Sequence, residues 1–172
     1  MKRIIIHWTA GTGKPNATDL QHYHFLVDNL GGVHRGNYRP EDNENCTDGR
    51  YAAHTGGGNT GSIGVSMCGM CGFRSSANLG KYPLTKKQCE ATFKLCAELC
   101  KKYGINVTKQ TVMTHYEFGK ANPNTSSAGK IDITWLPYTN DEIKKVTKST
   151  VVTNSSYGDF IRNKIKWYSQ NS

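Results

Sequence analysis

Three residues of zinc-binding type stand far apart in the chain: His7, His115 and Asp132. His7 ends the apolar run Ile4-Ile5-Ile6, His115 ends Thr111-Val112-Met113-Thr114, and Asp132 lies in the stretch Lys130–Trp135, read as extended. A catalytic zinc takes three protein ligands of the His and Asp/Glu types and keeps a fourth position for water. Strand ends, where loops take over, are where α/β sheets place their sites. The chemistry on offer is hydrolysis by a metal-activated water. The chain holds 6 histidines, so several such triples can be drawn and spacing alone does not choose this one.

The 6 cysteines offer a rival: Cys68-Gly-Met-Cys71 is a CxxC, and Cys96 and Cys100 stand one helical turn apart. A zinc site from these four competes with the plainer expectation that free cysteines are small buried hydrophobes. A redox CxxC wants a helix N-terminus, which Gly72-Phe73-Arg74-Ser75-Ser76 does not resemble.

The positioning elements follow from pattern. Arg3–His7 is β-branched and stops at the polar, glycine-rich Thr9–Thr18, so it reads as a buried strand. Alternation sets Ile5 and His7 on one face, Ile4 and Ile6 on the other. His22–Val27 and Val33–Arg35 about Gly31-Gly32 predict a hairpin, and Ser62–Met67 a strand fed by the loop Gly56–Gly61. The clearest helix is Thr85–Tyr103: Thr85 and Gln88 form a capping box, Leu84 and Cys89 a hydrophobic staple, and Gly104 the C-cap. The weaker amphipathic stretch Tyr157–Tyr168 predicts a last helix with Arg162, Lys164 and Lys166 on a solvated basic face. Strands interleaved with helices give an α/β fold, a single domain with a central mixed β-sheet flanked by helices.

Length and charge bound the rest. At 172 residues the chain is one domain able to bury a core without disulfides. With 22 Lys+Arg against 13 Asp+Glu the net charge is +9, which points to an anionic partner: nucleic acid, acidic lipid or an anionic cell wall. The apolar run behind Met1-Lys2-Arg3 is too short for a signal-peptide core, so the chain is expected to be made in a cytoplasm.

Five blocks in order supply a resemblance. Ile4–Ala10, Tyr23-His24-Phe25, Asn59–Val65, Thr114-His115-Tyr116-Glu117 and Lys130-Ile131-Asp132 resemble the motifs of zinc-dependent N-acetylmuramoyl-L-alanine amidases of the peptidoglycan-recognition-protein type. The blocks span residues 4–137, about four-fifths of the chain, and the nearest branch is that of single-domain phage endolysins. The resemblance implies a Zn2+ cofactor held by His7, His115 and Asp132, and hydrolysis of the amide between the lactyl group of N-acetylmuramic acid and L-alanine. It implies Tyr23 and Lys130 as catalytic groups stabilising the oxyanion, with His54 and Asn59 on the substrate side. In an extended Lys-x-Asp, Lys130 accompanies Asp132; the same alternation turns His22 and His24 away from Tyr23 and makes them structural. Glu117, two along the strand from His115, would orient that ligand.

The expected organisation is a catalytic domain over 1–146 and a C-terminal extension over 147–172 whose helix packs on it. The implied partner is peptidoglycan or muropeptide, with electrostatic attraction to an anionic envelope; no nucleic acid is expected, and the chain is expected to be a monomer. Release to the wall would come through a holin. Ser66 departs from relatives that carry Glu at this position, which leaves the proton acceptor open. Two other classes compete: a non-catalytic peptidoglycan-binding module, and a basic nucleic-acid binder with a cysteine zinc site.

Overall fold

The computed structural model describes residues 1–171. Five strands form one sheet in the order β3-β2-β4-β1-β5. They are β1 (Arg3–Trp8), β2 (Phe25–Val27), β3 (Val33–Arg35), β4 (Ser62–Met67) and β5 (Val112–Thr114). β1 runs parallel to β4 and β5, β2 runs parallel to β4, and only the β2–β3 hairpin is antiparallel. The expected mixed sheet is therefore present. Five helices accompany it: α1 (Ala17–His22), α2 (Lys86–Tyr103), α3 (His115–Ala121), α4 (Asn140–Thr147) and α5 (Ser156–Gln170).

The sheet's two faces differ in side-chain size because strand residues alternate. On one face Ile4, Ile6 and Trp8 of β1 join Ile63, Val65 and Met67 of β4 under Phe93 and Cys96 of α2 and Phe160 and Ile161 of α5. The opposite face of β4 presents only Ser62, Gly64 and Ser66. That leaves room above the sheet beside His7, whose register partner is Ser66. At Gly64 the room is fully used, since a Cβ there would stand 2.5 Å from the His54 ring.

α2 follows its sequence signals. Thr85 accepts from Gln88 N, Gln88 caps Thr85 N in return, and Gly104 closes the helix at φ 64°. The Gln88 amide also donates to the Val27 and Cys68 carbonyls at 2.8 Å each, which pins the helix start to the ends of β2 and β4.

Three local readings need correction. His115 does not end a strand: β5 stops at Thr114, and His115 opens α3 because Thr114 and Glu117 form a capping box. Asp132 is in a turn rather than an extended piece. His22 closes α1 and the strand begins only at Phe25, so strand alternation does not govern His22 and Tyr23.

The basic face of the last helix is also corrected. α5 packs on α2 and α4 with Phe160, Ile161 and Ile165 buried, but Arg162 is buried with them. Its guanidinium pairs with Glu117 at 2.8 and 2.9 Å and with Asp159 at 2.8 Å, while Lys164 pairs with Glu90 at 3.1 Å. Only Lys166 of the three stands exposed. The boundary expected after residue 146 falls in the last turn of α4.

Candidate metal centre and substrate cleft

β1, the first residue of α3 and the turn at 132 deliver His7, His115 and Asp132 to one buried point. His7 Nδ1 lies 3.1 Å from His115 Nδ1 and 3.2 Å from Asp132 Oδ2, and His115 Nδ1 lies 3.3 Å from Asp132 Oδ2. Ligand atoms around a tetrahedral ion with bonds of about 2.0–2.1 Å stand about 3.3 Å apart. The triangle has that size. The Tyr116 N–H donates to the Asp132 carbonyl at 2.6 Å, which ties the turn to the start of α3.

The surrounding hydrogen bonds settle which nitrogen of each histidine carries its proton. Ser127 Oγ donates its only proton to the Gly56 carbonyl at 2.7 Å, so towards His115 Nε2, 3.0 Å away, it must accept. His115 is then protonated at Nε2 and offers a lone pair at Nδ1. His54 Nε2 faces the Ser62 carbonyl at 3.2 Å and must donate, which leaves His54 Nδ1 as an acceptor. That nitrogen's one lone pair takes the Thr55 hydroxyl proton at 2.7 Å. Thr55 Oγ1 can then only accept from His7 Nε2, 3.3 Å away, so His7 Nε2 donates and His7 Nδ1 is also a lone pair. Two imidazole lone pairs and a carboxylate oxygen at mutual contact repel one another unless a cation sits among them. This donor set fits a zinc ion.

Charge states agree. Burial lowers the pKa of His7 to about 4 against the opposing hydrogen bond with Asp132, and burial takes His54 well below its usual value. Burial alone would raise the Asp132 carboxyl, but the flanking His115 and His7 hold it well below the usual carboxylate range. A neutral His7 beside the Asp132 carboxylate leaves negative charge at the point where the three groups meet.

A cleft of about 730 Å³ opens over these ligands, lined among others by Trp8, Tyr23, His54, Asn59 and Lys130. Tyr23 sits with its ring 5.2 Å from that of His7. Burial, then the Asp132 charge, push its phenol pKa up, so it stays a neutral donor. The buried Ser66 Oγ has no well-formed hydrogen bond, and its neighbour is that phenol. Lys130 is exposed on the rim, in the same cleft as Asp132 although no strand carries the pair.

The other expected site residues have structural partners. His54 is 7% exposed and packs edge-on against His7. Asn59 Oδ1 accepts from the His54 and Thr55 backbone N–H groups at 2.9 and 2.8 Å, which shapes the loop that carries both. His24 accepts from Gly64 N at its Nδ1 and reaches Asn43 with its Nε2, both at 2.9 Å, while His22 Nδ1 meets the Ala53 carbonyl.

The family model described as N-acetylmuramoyl-L-alanine amidase matches residues 1–132. The chain belongs to the N-acetylmuramoyl-L-alanine amidase family. No curated protein matches it in sequence. Among solved structures it is similar in fold to E. coli AmiD, solved with anhydro-N-acetylmuramic acid-L-Ala-D-gamma-Glu-L-Lys. The TM-score is 0.55 at 18% identity, over 88% of this chain and 64% of that one. It is similar also to the Staphylococcus aureus hydrolase AmiA in complex with its ligand, with a TM-score of 0.50 at 18% identity, over 98% and 75%. LysC, an N-acetylmuramoyl-L-alanine amidase from Clostridium intestinale, gives 0.48 at 16% identity over 84% and 83%.

In this amidase the cysteine alternative finds no support. Among the described residues the one cluster with metal-ligand geometry is His7, His115 and Asp132. Cys89, Cys96 and Cys100 lie in the hydrophobic core, and burial pushes the Cys68 thiol up to about 12 and that of Cys100 to about 11. They are small hydrophobes, away from the thiolate form a metal needs. Glu117 does not orient His115 along a strand; it caps α3 and holds Arg162. The amidase site also uses residues that sequence reasoning missed: Thr55 and Ser127. Ser127 sits in the run Thr125-Ser126-Ser127, where nothing local sets it apart.

Proposed function

We propose that this chain is a zinc-dependent amidase that cuts the bond between the lactyl group of N-acetylmuramic acid and L-alanine. The observation that carries the reading is the forced tautomer of both histidines, which aims two Nδ1 lone pairs and the Asp132 carboxylate at one point inside a cleft. His7, His115 and Asp132 would hold the metal. When bound, zinc supplies an acidified water and a Lewis acid for the amide carbonyl.

The chain's own groups do the remaining work. Tyr23, kept protonated by burial, donates to the oxygen of the scissile carbonyl as it becomes an oxyanion. The Lys130 ammonium on the rim adds positive charge as that anion develops, so it acts on the transition state more than on bound substrate. Ser66 Oγ, with an unfilled hydrogen-bonding capacity beside Tyr23, orients a water or the phenol. Trp8 and His54, both buried, line the cleft and limit solvent there.

The proposal extends to the setting. A net charge of +9 favours approach to an anionic wall, and the reading is that of a phage-type lytic enzyme, made in the host cytoplasm and reaching peptidoglycan after membrane permeabilisation by a holin. Metal analysis together with digestion of purified muropeptides tests the core of it. One zinc per chain, loss of most of it in Asp132→Ala, and release of free stem peptide are expected. Zinc that survives His7→Ala, or products that keep peptide on the sugar, would refute it.

A further inference from the structure

The catalytic cleft does not end at the metal ligands. Phe73 and Ile131 form a divide, and beyond it lies a second depression of about 490 Å³ that both residues also line. Ligand pockets run about 300–1,000 Å³, so this one has room for a ring-sized group. Ile131 is 49% exposed and lines the same cleft as its neighbour Asp132, so the divide stands beside the metal site. Most of the pocket is built after residue 132, where the family match ends: by Trp135 and Tyr138 behind the ligand turn, and by the α4–α5 connection at Val152–Asn154. Most of its lining therefore lies outside the residues that the family model matches.

The chemistry of its walls selects an occupant. The substrate runs from the scissile amide in two directions, into a glycan strand and along a peptide. The peptide beyond alanine carries carboxylates and would ask for several cations. This pocket offers one charged side chain, Arg74, at its exposed edge. It offers instead the aromatic rings of Phe73 and Trp135, with the amides of Asn140 and Asn154 and the hydroxyls of Thr134 and Thr153. Apolar faces beside uncharged donors and acceptors suit a neutral amino-sugar ring, whose C–H face packs on an aromatic while hydroxyl and acetamido groups hydrogen-bond. We propose that this pocket is a subsite for the N-acetylhexosamine that neighbours the cleaved muramoyl residue, so that glycan rather than peptide crosses the Phe73–Ile131 divide. The assignment rests on the amidase reading above.

The test compares two soluble substrates that differ by one sugar: a muramoyl peptide, and the same peptide on an N-acetylglucosaminyl-N-acetylmuramoyl disaccharide. The disaccharide is expected to have the higher kcat/KM by about tenfold, equivalent to ~1.4 kcal/mol. Asn154→Trp, at an exposed position of the pocket wall, should fill the pocket and remove that advantage. A binding readout without turnover accompanies it: quenching of Trp fluorescence by chitobiose, abolished in Trp135→Phe. No preference for the disaccharide, or a preference that survives Asn154→Trp, would overturn the subsite. So would a variant that instead loses discrimination between long and short peptides, since that would assign the pocket to the stem. If the parent enzyme cuts neither substrate, the amidase reading fails, and chitobiose quenching through Trp135 still decides the subsite.

Discussion

Replacing Arg162 by methionine tests whether the C-terminal helix holds the metal centre together. Arg162 reaches from α5 to Glu117 with two hydrogen bonds and to the Val112 carbonyl at 2.9 Å, with its side chain 6% exposed and that of Glu117 16%. Glu117 accepts from Thr114 N at 3.0 Å and so completes the cap of the helix that His115 opens. The approach is close: a Cβ on Gly158 would run into the Glu117 carboxylate. Methionine keeps much of the volume but strands a half-buried carboxylate and a β5 carbonyl. Removing one partner of a buried pair costs about 3–5 kcal/mol, and the part-wet Glu117 places this case near the lower end. With a urea m-value of about 2–3 kcal/mol/M, the unfolding midpoint should fall by about 1–1.5 M. Glu117→Gln with Arg162→Met should recover part of that loss, giving a coupling energy above about 1 kcal/mol. Because Thr114 and His115 share the capped turn, zinc affinity in competition with a chelator should fall about tenfold. A loss under about 1 kcal/mol would mean the pair behaves as an exposed one. Full destabilisation with unchanged zinc affinity would mean that α5 supports the fold and does not position His115.

Three further outcomes are expected. Ser127→Ala removes the acceptor that fixes the His115 tautomer, so zinc affinity should drop about 10–100-fold with the fold intact; an unchanged dissociation constant would reject the tautomer argument. Lys130→Ala and Tyr23→Phe should each keep one zinc and lose about 10²–10³ in kcat with KM little changed, and loss of metal from Lys130→Ala would void its assignment to the oxyanion. His24, buried and neutral, has its pKa lowered by burial to about 4, against 6.5 in the unfolded chain. The unfolded state therefore binds the proton first as pH falls, and stability present above pH 6.5 is lost between 6.5 and 4, by about 3 kcal/mol. His7 and His54 are also buried with lowered pKa values, so urea midpoints from pH 7.5 to 4.5 should fall less steeply in His24→Gln than in the parent, and parallel curves for the two would refute this.

What was legible in the sequence was what is local. The α2 capping box, its C-cap at Gly104 and the Ser62–Met67 strand depend on neighbours within a few residues, and each stands where the pattern puts it. The sequence pattern puts His115 at a strand end because the capping box Thr114-x-x-Glu117 overlaps the end of an apolar run, and in the fold the cap wins. Arg162 reads as part of a solvated face because its partner Glu117 is 45 residues away and belongs to another helix's cap. Ser127 and Thr55 are hidden because their contacts cross loops: Ser127 meets His115 over 12 residues, and Thr55 meets His7 over 48, on loops held by Gly56 and Asn59. The site's histidines were visible as residue types, but their tautomers were not, since a tautomer is fixed by the last acceptor in a chain of hydrogen bonds. Here those acceptors are two backbone carbonyls, Gly56 and Ser62, which no side-chain pattern reveals. The small face Ser62-x-Gly64-x-Ser66 joins the two levels. In the sequence it is only alternation within a strand; in the fold it is the space that lets His54 lie against His7, so that His7 Nδ1 can face Asp132.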